Sequence, residues 1–184
     1  MHIFCSRSSL FLFFFAYLGI TTACATSELS AALVKSDEDK KSVVSAVASK
    51  YKNDELLLSQ LISIKGGNFD FFVVPVLSYE KPTPSCYIQT LSANRQLIDR
   101  YLIEKNEDAQ SCDAVLAIFP CRLPGVNGLG VIYGVRLGAS NYYTDGSYFE
   151  IVENGVLRFD KARTKSISGI DSAVMAKKKL GCMK

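Results

Sequence analysis

Cysteine placement limits this chain more than any other feature. Cys5 and Cys24 fall within the first 25 residues, and Cys86, Cys112, Cys121 and Cys182 fall in the remainder. Residues 1–25 read as a cleavable signal peptide. Arg7 precedes the apolar run LFLFFFAYLGI (10–20), and Ala23-Cys24-Ala25 offers the small residues a signal peptidase requires. At about 1.5 Å per residue that run makes roughly 16 Å of helix, about half the hydrocarbon thickness of a bilayer, which is too short for a permanent span. A lipid anchor on Cys24 is the weaker alternative, because Thr21 rather than Leu lies three residues before it. Export places the protein in the periplasm or outside the cell. Four cysteines in an oxidising compartment then predict two disulfides in a single stapled domain over residues 26–184.

The only histidine is His2, inside the leader. The remaining chain therefore has no imidazole for nucleophilic catalysis, proton shuttling or metal ligation, and without a C-x-x-C pair it has no common zinc ligand set. Two S-x-x-K matches, at Ser49 and Ser78, lack the S-D-N and K-T-G elements that would give them meaning. Removing the leader leaves 20 basic against 18 acidic residues, with a basic run only at Lys177, Lys178 and Lys179, so no electrostatic footprint for nucleic acid is expected.

Hydrophobic periodicity predicts an α+β fold. Ser36 opens a capping pattern, and apolar residues from Val43 to Ile62 recur at helical spacing, which predicts helices over 36–65, broken at Asn53-Asp54 and closed by Gly66-Gly67. Residues 70–160 are strand-rich. DFFVVPVLS (70–78) is apolar on both faces with Pro75 inside it, which suggests an edge or bulged strand. CYIQTL, QLIDRYLIE, DAVLAIF, VIYGVRL, SYFEIV and VLRFD follow, giving an antiparallel meander of about six or seven strands. Helices from 36–65 would cover one face, and a C-terminal helix over 169–180, opened at Ser168 and stopped by Gly181, would complete it.

The stretch CRLPGVNGLGVIYGVRLG (121–138) raises the question of a phosphate loop. Gly125, Gly128 and Gly130 run in the order G-x-x-G-x-G and lead into a strand, whereas a dinucleotide loop leads from a strand into a helix. No cofactor is expected. The glycines are expected to serve turns at Pro124-Gly125 and Asn127-Gly128, with close backbone approach at Gly134 and Gly138.

NYYTDGSYFE (141–150) resembles a calcium loop only at Asp145-Gly146, since Tyr143 and Val152 occupy ligand positions. Read as a turn, it presents Tyr142, Tyr143, Asp145 and Tyr148 as the candidate partner-binding surface.

Two geometric expectations follow. If 113–119 is a strand, Cys112 and Cys121 stand about 30 Å apart and cannot join; in a meander the strands opened by Cys86 and Cys112 run the same way and bring those two cysteines to one edge, so Cys86 is expected to pair with Cys112 and Cys121 with Cys182. Around Asn154-Gly155, a three-residue loop sets Phe149 opposite Phe159 and Ile151 opposite Leu157, with Gly155 at positive φ. The function these features favour is an exported non-catalytic binding protein, such as an inhibitor or immunity protein of the bacterial envelope, acting on a protein or other envelope macromolecule. The alternatives are a small envelope hydrolase using carboxylates such as Asp99, Asp113 and Glu150 on glycan or peptide, and an envelope assembly or structural component.

Overall fold

A computed structural model describes residues 29–103, 111–138 and 141–182; the expected signal peptide and Cys24 lie outside them. The described chain is mostly antiparallel β structure with three α-helices. The strands fall into two sheets rather than one meander. The first contains β1 (Ser30–Leu33), β2 (Asp54–Leu56), β3 (Ile62–Gly66), β4 (Phe69–Ser78), β5 (Ser85–Ser92) and β6 (Leu97–Leu102), in the order β1-β3-β4-β5-β6, with β2 also on β4. The second contains β7 (Ser111–Leu123), β8 (Val126–Leu137), β9 (Asn141–Glu153) and β10 (Val156–Phe159), in the order β10-β9-β8-β7.

Strand alternation sends one side of each sheet into a shared core. Ile64, Phe71, Val73 and Ile88 of the first sheet pack against Leu129, Val131, Phe149 and Ile151 of the second. The outer face of the first sheet is covered by α1 (Asp37–Ala48), whose Val43 and Val47 pack on Phe72, Val74 and Val76. Both faces of β4 are therefore buried. This explains the unbroken apolar run at 70–78, and it corrects the edge-strand assignment, since β4 is central. Pro75 is tolerated there because its flank opposite β5 meets a gap. β3 pairs with β4 only as far as Val73, β2 begins at Val76, and between them the Pro75 carbonyl accepts from the Leu57 amide at 3.0 Å.

The helical expectation for 36–65 fails after Ala48. Residues 54–66 supply β2, a short 3₁₀ turn and β3, and Gly67, at φ 61°, turns the β3–β4 hairpin instead of capping a helix. The i, i+3, i+4 spacing of Leu58, Leu61 and Ile62 mimics a helix, but the flank of β4 opposite β5 has backbone groups that only another strand can satisfy.

The outer face of the second sheet is covered by α2 (Lys161–Ile167) and α3 (Ala173–Leu180). Ile167 and Ala176 pack against Phe119, Ile132 and Tyr148. α2 lies outside the expected elements; Asp160 caps it by accepting from the Arg163 amide at 2.9 Å. α3 begins at Ala173, later than the Ser168 opening, and Gly181 ends it in the left-handed conformation at φ 74°.

Two disulfides hold these layers. Cys86–Cys112 joins β5 to β7, and so bridges the two sheets rather than neighbouring strands of one. Cys121–Cys182 ties the end of α3 to β7. At the β9–β10 turn, Phe149 faces Phe159, Glu150 faces Arg158 and Ile151 faces Leu157, with Gly155 at φ 80°. The loop itself differs from expectation. Glu153 pairs directly with Val156, so the loop has two residues, and Val152 is the residue passed over in the ladder. The matched apolar pairs decide the register, and a bulge absorbs the offset.

Candidate functional site

The glycines of 121–138 serve packing. Gly125, at φ 74°, makes the β7–β8 turn, but Gly128 lies within β8, which corrects the turn expected at Asn127-Gly128. On the outer face of β8, Gly128, Gly130 and Gly134 are covered in turn by the rings of Tyr148, Phe119 and Tyr142, and a Cβ at any of them would overlap the ring.

That packing also dissolves the expected tyrosine surface. Residues 141–153 form β9, paired with β8 from Gly128↔Glu150 to Leu137↔Asn141, and alternation sends Tyr142 and Tyr148 to one face and Tyr143 and Asp145 to the other. Tyr148 is fully buried, whereas Tyr142 is 52% exposed. Tyr143 packs partly buried against the core between the sheets. The Asp145 carboxylate accepts from the Gly146 amide at 2.8 Å and the Gly169 amide at 3.0 Å, fixing the segment after α2 to β9. The four residues do not form one patch.

The carboxylates considered for hydrolysis are likewise dispersed. Asp113 pairs with Arg136 at one end of β8, and Glu150 pairs with Arg158 opposite Gly128 near the other end. Eight residues of strand separate positions 128 and 136, about 26 Å at ~3.3 Å per residue. Asp99 lies in the other sheet and accepts from the Arg100 amide.

A cleft of about 570 Å³ opens beside Asp145. It arises because β10 is short: pairing with β9 ends at Phe149, and α2 closes the remaining edge. The Asp160 amide donates to the Tyr148 carbonyl, and the Tyr148 amide donates to Thr164 Oγ1, each at 2.9 Å. Tyr133, Ser147 and Phe159 form the aromatic and hydroxyl-bearing floor, and the Ser147 hydroxyl donates to the Ile103 carbonyl at 2.7 Å. Lys161 and Lys165, one helical turn apart, line the α2 side with Thr164. Both lysines are exposed, and among the described residues neither has an ion-pair partner. Both amides donate to Oδ1 of Asp145, and with that carboxylate counted the two lysines still leave the cleft lining net positive.

Sequence reasoning misses the two lysines because VLRFD reads as the last element of the strand-rich region. The signal was present in Asp160 as a helix cap and in K-x-x-x-K one turn apart. Among the described residues no group of three His, Cys, Asp or Glu is placed to hold a metal, and no helix is long and apolar enough to cross a membrane. Comparisons with family models, with curated proteins and with solved structures find no match.

Proposed function

We propose that the chain is an exported, periplasmic or secreted, non-catalytic binding protein whose cleft between β9 and α2 takes an acidic group presented by a protein or other envelope macromolecule. Two disulfides are compatible with such a compartment. The observation that carries the reading is the pair Lys161 and Lys165, without an ion-pair partner among the described residues, on one side of a cleft floored by Tyr133 and Phe159. Lysines beside an aromatic floor suit a carboxylate or phosphate attached to an apolar or ring-bearing body. An inhibitor or immunity protein would use the cleft to seize such a group on its target.

The test is calorimetry and thermal shift with defined acidic probes, namely peptides with a free or an amidated C-terminus and carboxylate-bearing cell-wall glycopeptides. Wild type, Lys161→Glu/Lys165→Glu and Tyr142→Ala/Tyr143→Ala are compared. A probe-dependent rise in melting temperature that is lost only in the lysine variant supports the reading. Equal binding by the lysine variant moves the site elsewhere, and turnover of the glycopeptide hands the argument to the hydrolase.

A further inference from the structure

α3 has a second face that the fold does not use. Its inner side is spent: Ala176 is fully buried, Ala173 and Leu180 pack on the same cluster, and the Lys177 ammonium lies 5.6 Å from the centre of the Phe119 ring. Its outer side carries Val174 and Met175, with Lys178 and Lys179 one turn further along. Val174 is 77% exposed and Met175 58%, and both lysines are exposed. A β-branched residue left this open contributes nothing to the core and little to helix propensity. The Cys121–Cys182 bridge anchors the chain just past the helix, so the stripe is held as a fixed platform.

Charge is distributed to match. Residues 161–180 carry six basic residues and one acidic residue, Asp171, whereas residues 26–160 carry 17 acidic against 13 basic. The helical layer over the second sheet is thus net positive, even though Arg163 pairs with Asp160, and an anionic surface would draw it with α3 inward.

We propose that the outer face of α3 docks the protein on a bilayer surface rich in anionic phospholipid, with Val174 and Met175 entering between head groups and Lys178 and Lys179 meeting their phosphates. Lipid is chosen over an acidic protein for a chemical reason. Lysine is depleted at protein–protein interfaces, which are anchored by aromatic residues and arginine in concave pockets, whereas lysines flanking protruding apolar side chains are the ordinary composition of an interfacial helix. The proposal does not require the cleft to bind anything; Lys161 and Lys165 enter it only as part of the charge of the helical layer.

The experiment is co-sedimentation of the oxidised protein with vesicles of phosphatidylcholine alone and of phosphatidylcholine mixed with phosphatidylglycerol, at low and at physiological salt. Partitioning onto the anionic vesicles is expected to exceed that onto neutral ones by at least about tenfold, and to fall as salt rises. Lys178→Glu/Lys179→Glu is expected to reduce it to the neutral level, and Val174→Ser/Met175→Ser by about fivefold or more, with melting temperatures unchanged because all four side chains are exposed. Absence of anionic partitioning, or equal partitioning by wild type and both variants, overturns the proposal. So does loss in the lysine variant alone when wild type binds poly-glutamate beads equally well, since the stripe is then a general polyanion surface into which no apolar side chain inserts.

Discussion

Arg100 donates to the carboxylate of Asp54 at 3.1 Å, and the Asp54 side chain is wholly buried while that of Arg100 is 10% exposed. The guanidinium reaches from β6 toward β2, its carbon lying 3.8 Å from the centre of the Tyr87 ring and 4.2 Å from that of Tyr51. Gln89, fully buried, donates to the second Asp54 oxygen at 3.0 Å. This cluster fastens the return from α1 to the first sheet. Arg100→Leu leaves a buried carboxylate without its cation, and chemical denaturation is expected to show a loss of about 3–5 kcal/mol. Asp54→Leu/Arg100→Leu should recover part of that loss. A double-mutant cycle in which the two single losses simply add would show that the pair is uncoupled.

The glycines of β8 separate clashes that can relax from those that cannot. A Cβ at Gly128 meets the phenol of fully buried Tyr148 and comes within 2.7 Å of the Phe149 carbonyl, so Gly128→Ala is expected to cost about 2–3 kcal/mol. At Gly134 the obstacle is Tyr142, half exposed and able to swing outward, so Gly134→Ala is expected to cost less than about 1 kcal/mol. Thermal melts in which the two variants lose equally would contradict the distinction.

Tyr148 gives the fold an alkaline limit. Burial pushes its phenol up to about 12, with the Arg163 guanidinium pulling the other way. A raised acid of this kind favours the folded state fully below its unfolded value near 10, and that contribution is lost as pH rises through the folded value. Stability is therefore expected to decline between pH 10 and about 12, and Tyr148→Phe should flatten that slope by roughly 1.4 kcal/mol per pH unit. Because the buried hydroxyl has no hydrogen-bond partner among the described residues, the same variant should be no less stable than wild type at pH 7. Parallel slopes for the two proteins in urea titrations across this range would refute the assignment.

The two bridges should be recovered intact. Non-reducing peptide mapping is expected to yield Cys86 with Cys112 and Cys121 with Cys182, and Cys121→Ala/Cys182→Ala should cost roughly 2–4 kcal/mol while exposing the α3 segment to protease. A Cys112–Cys121 peptide would be incompatible with β7, because those residues are nine positions apart within one extended strand.

Much of the layout was legible because it rests on local chemistry. The β9–β10 register follows from Phe149, Ile151, Leu157 and Phe159 demanding one face, and Gly181 ends α3 because only glycine accepts the left-handed cap without strain. The site was less legible. Tyr142, Tyr143, Asp145 and Tyr148 look alike as loop residues in the sequence, and only pairing with β8 shows that the strand sends them to opposite faces.

By itself, then, the amino-acid sequence determined the β-rich α+β character, that Cys112 and Cys121 cannot join across one strand, and the absence of any imidazole beyond residue 2, since these depend on residue identity and on the reach of an extended chain. Tertiary structure decided the rest. The ladder splits into two facing sheets because a strand such as β4, apolar on both sides, needs cover on both. Residues 54–66 become strands because the flank of β4 opposite β5 had to be filled, and Lys161 and Lys165 meet the floor of a cleft because β10 is too short to complete the edge of β9. Each depends on what lies across the core, and no window of sequence contains that neighbour.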